Sequence, residues 1–141
     1  MKTTTQILPG VTAIGWIESR HLTARVDLAA ICGVPVPILT DINGINFFDT
    51  PTCECSRKNE GAATSETATL KFKTYIRLPD RKKIAFIVTD ANGDTYLIGA
   101  AEHPFPSVEA TRTLGSPSGD PAGIEYEIKH TALRSLIPCI C

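Results

Sequence analysis

The sequence has almost no excess charge: 14 Lys and Arg stand against 15 Asp and Glu, a net of −1. A chain without a basic footprint is not expected to bind nucleic acid. Aromatic residues are scarce at 6%, too few for a platform on which bases stack. Long apolar runs are missing as well. The longest, Leu28–Leu39, contains Pro35 and Pro37 and falls short of the roughly 20 residues a helix needs to cross a bilayer. Residues 1–10 hold Lys2, Thr3, Thr4, Thr5, Pro9 and Gly10, where a secretory leader needs unbroken apolar sequence. No membrane partner is expected, and the expected compartment is the cytoplasm. The chain also has no P-loop, no G-x-G-x-x-G and no G-x-S-x-G, so nucleotide-binding and serine-hydrolase machinery is not expected. There is no internal repeat of fixed period.

What is present is an ordinary globular composition, with 43% apolar and 21% charged residues over 141 positions. That fits one domain, 1–141, with a core of its own. The clearest local signal is residues 84–99, IAFIVTDANGDTYLIG. Two apolar strands flank Asp90-Ala91-Asn92-Gly93-Asp94, which has the residues a hairpin turn needs, with Gly93 free to take positive φ. Ile84, Phe86 and Val88 face one way.

Other segments carry the same period. Val11–Ile17 reads as a strand, with Thr12, Ile14 and Trp16 on one side. Leu70, Phe72, Ile76 and Leu78 alternate with Lys71, Lys73, Tyr75 and Arg77, the pattern of a half-buried strand. Val108–Leu114 reads as a strand. In 124–129, Ile124, Tyr126 and Ile128 point inward while Glu125, Glu127 and Lys129 point outward. Residues 34–40 carry two prolines and belong at a sheet edge or in an extended connection. Residues 18–31 read as either helix or extended chain. Turns are expected at 41–44 and 79–81, a short strand at 45–48 and one helical turn within 131–137. Residues 50–68 and 115–123 are small, polar and without period, and read as flexible loops. The sum is a mainly β fold: a single-domain antiparallel β-sandwich or barrel of six to eight strands, with at most one or two short helices.

Few constellations offer chemistry. Cys53-x-Cys55 and Cys139-x-Cys141 are two pairs of equal spacing. Residues two apart on an extended strand share a face, so four thiolates could meet one zinc ion. The spacing is tighter than the usual C-x2–4-C, and reduced, unpaired thiols are the simpler expectation. His21, His103 and His130 have no partner at a motif spacing. His130 is in phase with Ile128 and reads as a partly buried structural histidine. Asp90-x-Asn92-x-Asp94 begins like a calcium loop, but Thr95 and Ala101 stand where an EF-hand needs Gly and an acid. Lys71, Lys73 and Arg77 form a basic stripe suited to an acidic neighbour or to a hydrated, protected edge. Glu125 and Glu127 read as a solvated face. No catalytic, cofactor-binding or metal site is assigned.

From about residue 70 to 137 the order of features resembles small structural proteins of tailed phages and prophages, of tail-tube or baseplate type. The pieces are LKF (70–72), AFIVTDANGDTYLIG (85–99), the link HPFP (103–106) and GDPAGIEYEIKH (119–130). The resemblance implies a compact β-sandwich or barrel that assembles into rings through sheet edges and long loops. It implies a non-enzymatic subunit that associates with itself or with other tail subunits, cytoplasmic before assembly and part of the virion afterwards. Residues 50–68 and 115–123 are the expected contact elements. The rival reading is a small ligand- or partner-binding β-sandwich module, carbohydrate-binding or adhesin-like, with Trp16, Tyr75 and Tyr96 as its aromatic cluster.

Overall fold

The computed structural model describes residues 10–22, 36–37, 42–61, 63–79, 82–100, 105–115, 117, 119, 122–132 and 135–140. Their strands are β1 (Val11–Glu18), β2 (Val36–Pro37), β3 (Asn43–Ile45), β4 (Phe47–Glu60), β5 (Ala63–Thr74), β6 (Ile84–Asp90), β7 (Thr95–Ile98), β8 (Ser107–Thr113), β9 (Gly123–Ala132) and β10 (Ile137–Ile140). One turn of 3-10 helix, Ser19–His21, follows β1. The strands form a six-stranded sheet, β2-β10-β7-β6-β1-β3, and a four-stranded sheet, β4-β5-β9-β8. Neighbours are antiparallel except β10 with β2. Neither sheet closes, so the fold is a sandwich and not a barrel.

The core lies between the sheets. Ile14, Phe86, Val88 and Ile98 from one meet Leu70, Phe72, Tyr126 and Ile128 from the other, and all are buried. Each fully buried side chain of this size is worth about 1.5–3 kcal/mol. The Phe72 and Tyr126 rings stack with centroids 5.5 Å apart. A second cluster, Ile17, Ala85, Ile87, Leu97, Ile137 and Cys139, lies on the other face of the six-stranded sheet. Ile84 through Val88 are therefore all buried, which is why that strand is apolar at every position and not alternating. Only Asn46 separates β3 in one sheet from β4 in the other, so the chain changes sheets across a single residue.

The expected 84–99 hairpin is present. Asp90 N–H donates to Asp94 O at 3.0 Å, Gly93 N–H to Asp90 O at 3.2 Å, and Gly93 takes φ of 87°. The strand at 107–113 and the alternation of β9 follow the sequence pattern. Val36–Pro37, the described part of 34–40, sits at a sheet edge, as Pro37 requires.

Several expectations are corrected. Residues 50–68 are not a flexible loop: β4 and β5 pair in continuous register from Thr52↔Lys71 to Glu60↔Ala63. Their threonines favour a pleated strand, Gly61 turns the chain at φ of 61°, and the register break between Phe48 and Thr52 accommodates Pro51 in an edge strand. Asn43 and Gly44 are not a turn but pair with Trp16 and Gly15. Thr131 and Ala132 extend β9, and Ile137 opens β10, so the described part of 131–137 holds no helical turn. The strand through residue 78 stops at Thr74. There Thr74 Oγ1 donates to Asn46 O at 2.6 Å and accepts from Ile76 N–H at 3.1 Å, which bends the chain and leaves Ile76 44% exposed. Residues 115, 117, 119 and 122 form no strand, while Gly123 opens β9. The turn at 79–81 and the 23–31 part of the ambiguous stretch lie largely or wholly outside the described residues.

Candidate interaction surfaces

The outer face of the four-stranded sheet is built by period 2 from four strands at once. Across it, Thr52, Lys71, Glu127 and Glu109 form one row, and Lys73, Glu125 and Thr111 form part of the next. The basic stripe and the carboxylate pair of the sequence are thus opposite halves of one ladder. Directly opposed side chains have Cβ atoms about 5 Å apart, so Lys71 neighbours Glu127 and Lys73 neighbours Glu125. Lys129 Nζ stands 3.4 Å from Glu127 Oε1, and the Thr67 and Thr131 hydroxyls lie 3.0 Å apart. This face is mixed in sign.

One corner of the inner face carries a polar node with no signature in the sequence. Glu66, only 8% exposed, stands opposite Arg57 across the hairpin. It accepts hydrogen bonds from Arg57 Nε at 3.1 Å, from Arg57 Nη2, from Ser135 N–H at 3.2 Å and from the Cys55 thiol at 3.7 Å. Ser135 Oγ in turn donates to the Glu66 backbone carbonyl. Burial pushes the Glu66 carboxyl up, but Arg57, the Ser135 amide and the thiol outweigh it and hold the group below the usual carboxylate value. The node ties the β4–β5 hairpin to the bend that leads into β10.

Among the described cysteines, the 53/55 pair and Cys139 do not converge. Cys53 packs against the core between the sheets, whereas Cys139 belongs to the cluster on the far face of the other sheet. Burial, with Cys55 and Glu54 beside it, pushes the Cys53 thiol up to about 11. Burial and Glu66 push Cys55 up as well. Both stay protonated at neutral pH, the poor state for metal binding or nucleophilic attack. Cys141 lies outside the described residues. Among the described residues no three His, Cys, Asp or Glu side chains stand close enough to share a metal ion.

The histidines are dispersed too. His130, expected to be partly buried, is 3% exposed, and its Nδ1 has no hydrogen-bond partner. Burial lowers its pKa, so it is neutral at physiological pH. His21 is exposed with Nε2 3.7 Å from Glu18. His103 lies outside the described residues. In the hairpin turn, Asp90 Oδ1 accepts from the amides of Asn92 at 3.0 Å and Asp94 at 2.9 Å. That carboxylate closes the turn, as the residues 90–94 require. The three aromatics form no single cluster: Trp16 and Tyr96 lie two strands apart on the six-stranded sheet, and Tyr75 stacks on Phe48 with centroids 4.4 Å apart.

The sheet edges differ sharply. The six-stranded sheet ends in β2 and β3, of 2 and 3 residues, and short edge strands resist further pairing. The four-stranded sheet ends in β4, with 14 residues, and β8, with 7. Among the described residues no strand pairs with the outer side of either. Every residue of β8 is exposed. The protein-family models, the curated proteins and the solved structures contain no match to this chain.

Proposed function

We propose that the protein is a non-enzymatic structural subunit of a phage or prophage tail, of tube or baseplate type, that works by self-association. The observation that carries the reading is the pair of long edges on the four-stranded sheet with which no described strand pairs. With four antiparallel strands, β4 and β8 run in opposite directions. A copy related by rotation therefore brings its β4 antiparallel to β8 of the first, and the operation repeats around a ring. The β4–β5 hairpin, in the region read from the sequence as a contact element, contributes one of these edges. The resemblance over residues 70–137 supplies the tail context, and with it assembly from the cytoplasm into a virion.

Light scattering across a concentration series tests this. The mass should rise with concentration, and electron microscopy of the concentrated sample should show rings or tubes. Lysines introduced together by Glu109→Lys and Thr111→Lys block strand addition at an edge and should hold the chain monomeric. A wild-type chain that remains monomeric throughout, or a double variant that assembles as well as wild type, refutes the reading.

A further inference from the structure

Beneath β8 runs a groove that the assembly reading does not use. Two cavities, of about 400 Å³ and 360 Å³, lie along β8 and share Arg77. Val108 and Ala110 line the first; Arg112 and Leu114 line the second. A third, of about 420 Å³, continues the first past Lys82 and Lys83 to Arg20 and Phe105. The four large apolar side chains that are exposed among the described residues are Tyr75, Ile76, Val108 and Leu114. Three of them, Tyr75, Val108 and Leu114, lie in this groove. Apolar surface gathered in one concave place marks a binding site more often than chance exposure does.

The charge of the groove is one-sided. Its described ionic residues are Arg20, Arg77, Lys82, Lys83 and Arg112 against the single carboxylate Glu18. Glu18 already serves Lys82 at 2.9 Å and Arg20 at 2.5 Å. Lys83 Nζ stands 5.7 Å above the Phe105 ring. Ser19 lines the same end, and its buried hydroxyl has no hydrogen-bond partner. The outer face of the same sheet is mixed in sign, so the cationic character belongs to this side alone.

We propose that the groove binds an extended acidic segment of a partner protein, alternating carboxylate with apolar side chains. The length of β8 sets the span: seven residues at roughly 3.3 Å each make a track of about 23 Å. Acids of the segment meet Lys83 and Arg112, and its apolar side chains rest on Val108, Leu114 and Tyr75. The apolar floor selects polypeptide over nucleic acid, whose backbone offers phosphate without matching hydrocarbon.

The test is fluorescence anisotropy with a labelled peptide of about seven residues, alternating glutamate with leucine, titrated with the full chain. Binding should saturate at one peptide per chain and weaken with salt. Lys83→Glu should loosen it about tenfold, as reversal of a close charge pair does. Val108→Ser should weaken it, and Lys71→Glu, on the outer face, should not. Lys83→Gln gives the same direction should Lys83→Glu fold poorly. The Glu109→Lys, Thr111→Lys variant, whose positions line none of the three cavities, should bind as wild type does, which separates this site from the assembly edge. Absence of saturation, equal loss in Lys71→Glu, or tighter binding of an oligothymidylate of equal charge overturns the proposal. So does concentration-dependent mass that Lys83→Glu abolishes, because a second copy would then occupy the groove.

Discussion

Glu66 keeps its charge under burial because Arg57, the Ser135 amide and the Cys55 thiol converge on it. Its lowered pKa means that the unfolded chain takes up a proton first as pH falls. The stability it contributes is complete above the ordinary carboxylate value of 4.5 and drains away as pH drops through the lower folded value. Glu66→Gln should therefore cost about 1–3 kcal/mol near neutrality, and the deficit should close on acidification, as read by urea midpoints. His130 predicts a second slope at higher pH. Burial lowers its pKa from 6.5, so wild type should lose stability as pH falls below that value. His130→Leu should flatten the slope between about pH 6.5 and 5. Cys53, with its thiol near 11, should resist iodoacetamide at neutral pH in the folded chain and react once urea unfolds it, as peptide mass mapping would show.

At the scale of the element, β8 stands apart: it has a complete ladder to β9 and buries none of its own side chains. A strand held only by hydrogen bonds opens at low cost. In the isolated chain its amides should exchange with deuterium faster than those of β5 or β9, and assembly should slow them. In the 75–79 connection, Leu78 N–H donates to the Tyr126 hydroxyl at 2.9 Å. Tyr126→Phe leaves that buried amide unpaired and should cost about 1–3 kcal/mol by urea denaturation. Elements with one dry face were legible in the sequence: β5 and β9 alternate because Leu70, Phe72, Tyr126 and Ile128 enter the core while lysines and glutamates meet water. The β4–β5 hairpin was not, because residues such as Ser56, Lys58 and Asn59 are wet on both faces and period 2 has nothing to report. The Glu66 node was equally hidden. Its members are residues 55, 57, 66 and 135, and only strand register brings them together.

For the whole molecule, the single-domain β class followed from many short alternating segments separated by turn residues, whereas sheet membership did not. Nothing local announces that β3 and β4, one residue apart, belong to different sheets. The groove beneath β8 was invisible for the same reason, since Arg20, Lys83 and Arg112 meet only in the folded chain. The even number of strands in the smaller sheet has a consequence for descent. In a ring built through the proposed β4–β8 contact, a change of one strand would reverse the polarity of one rim, and neighbouring copies would meet parallel, in the weaker ladder. Lineages that lengthen or trim this layer should do so by whole β-hairpins, never by a lone strand.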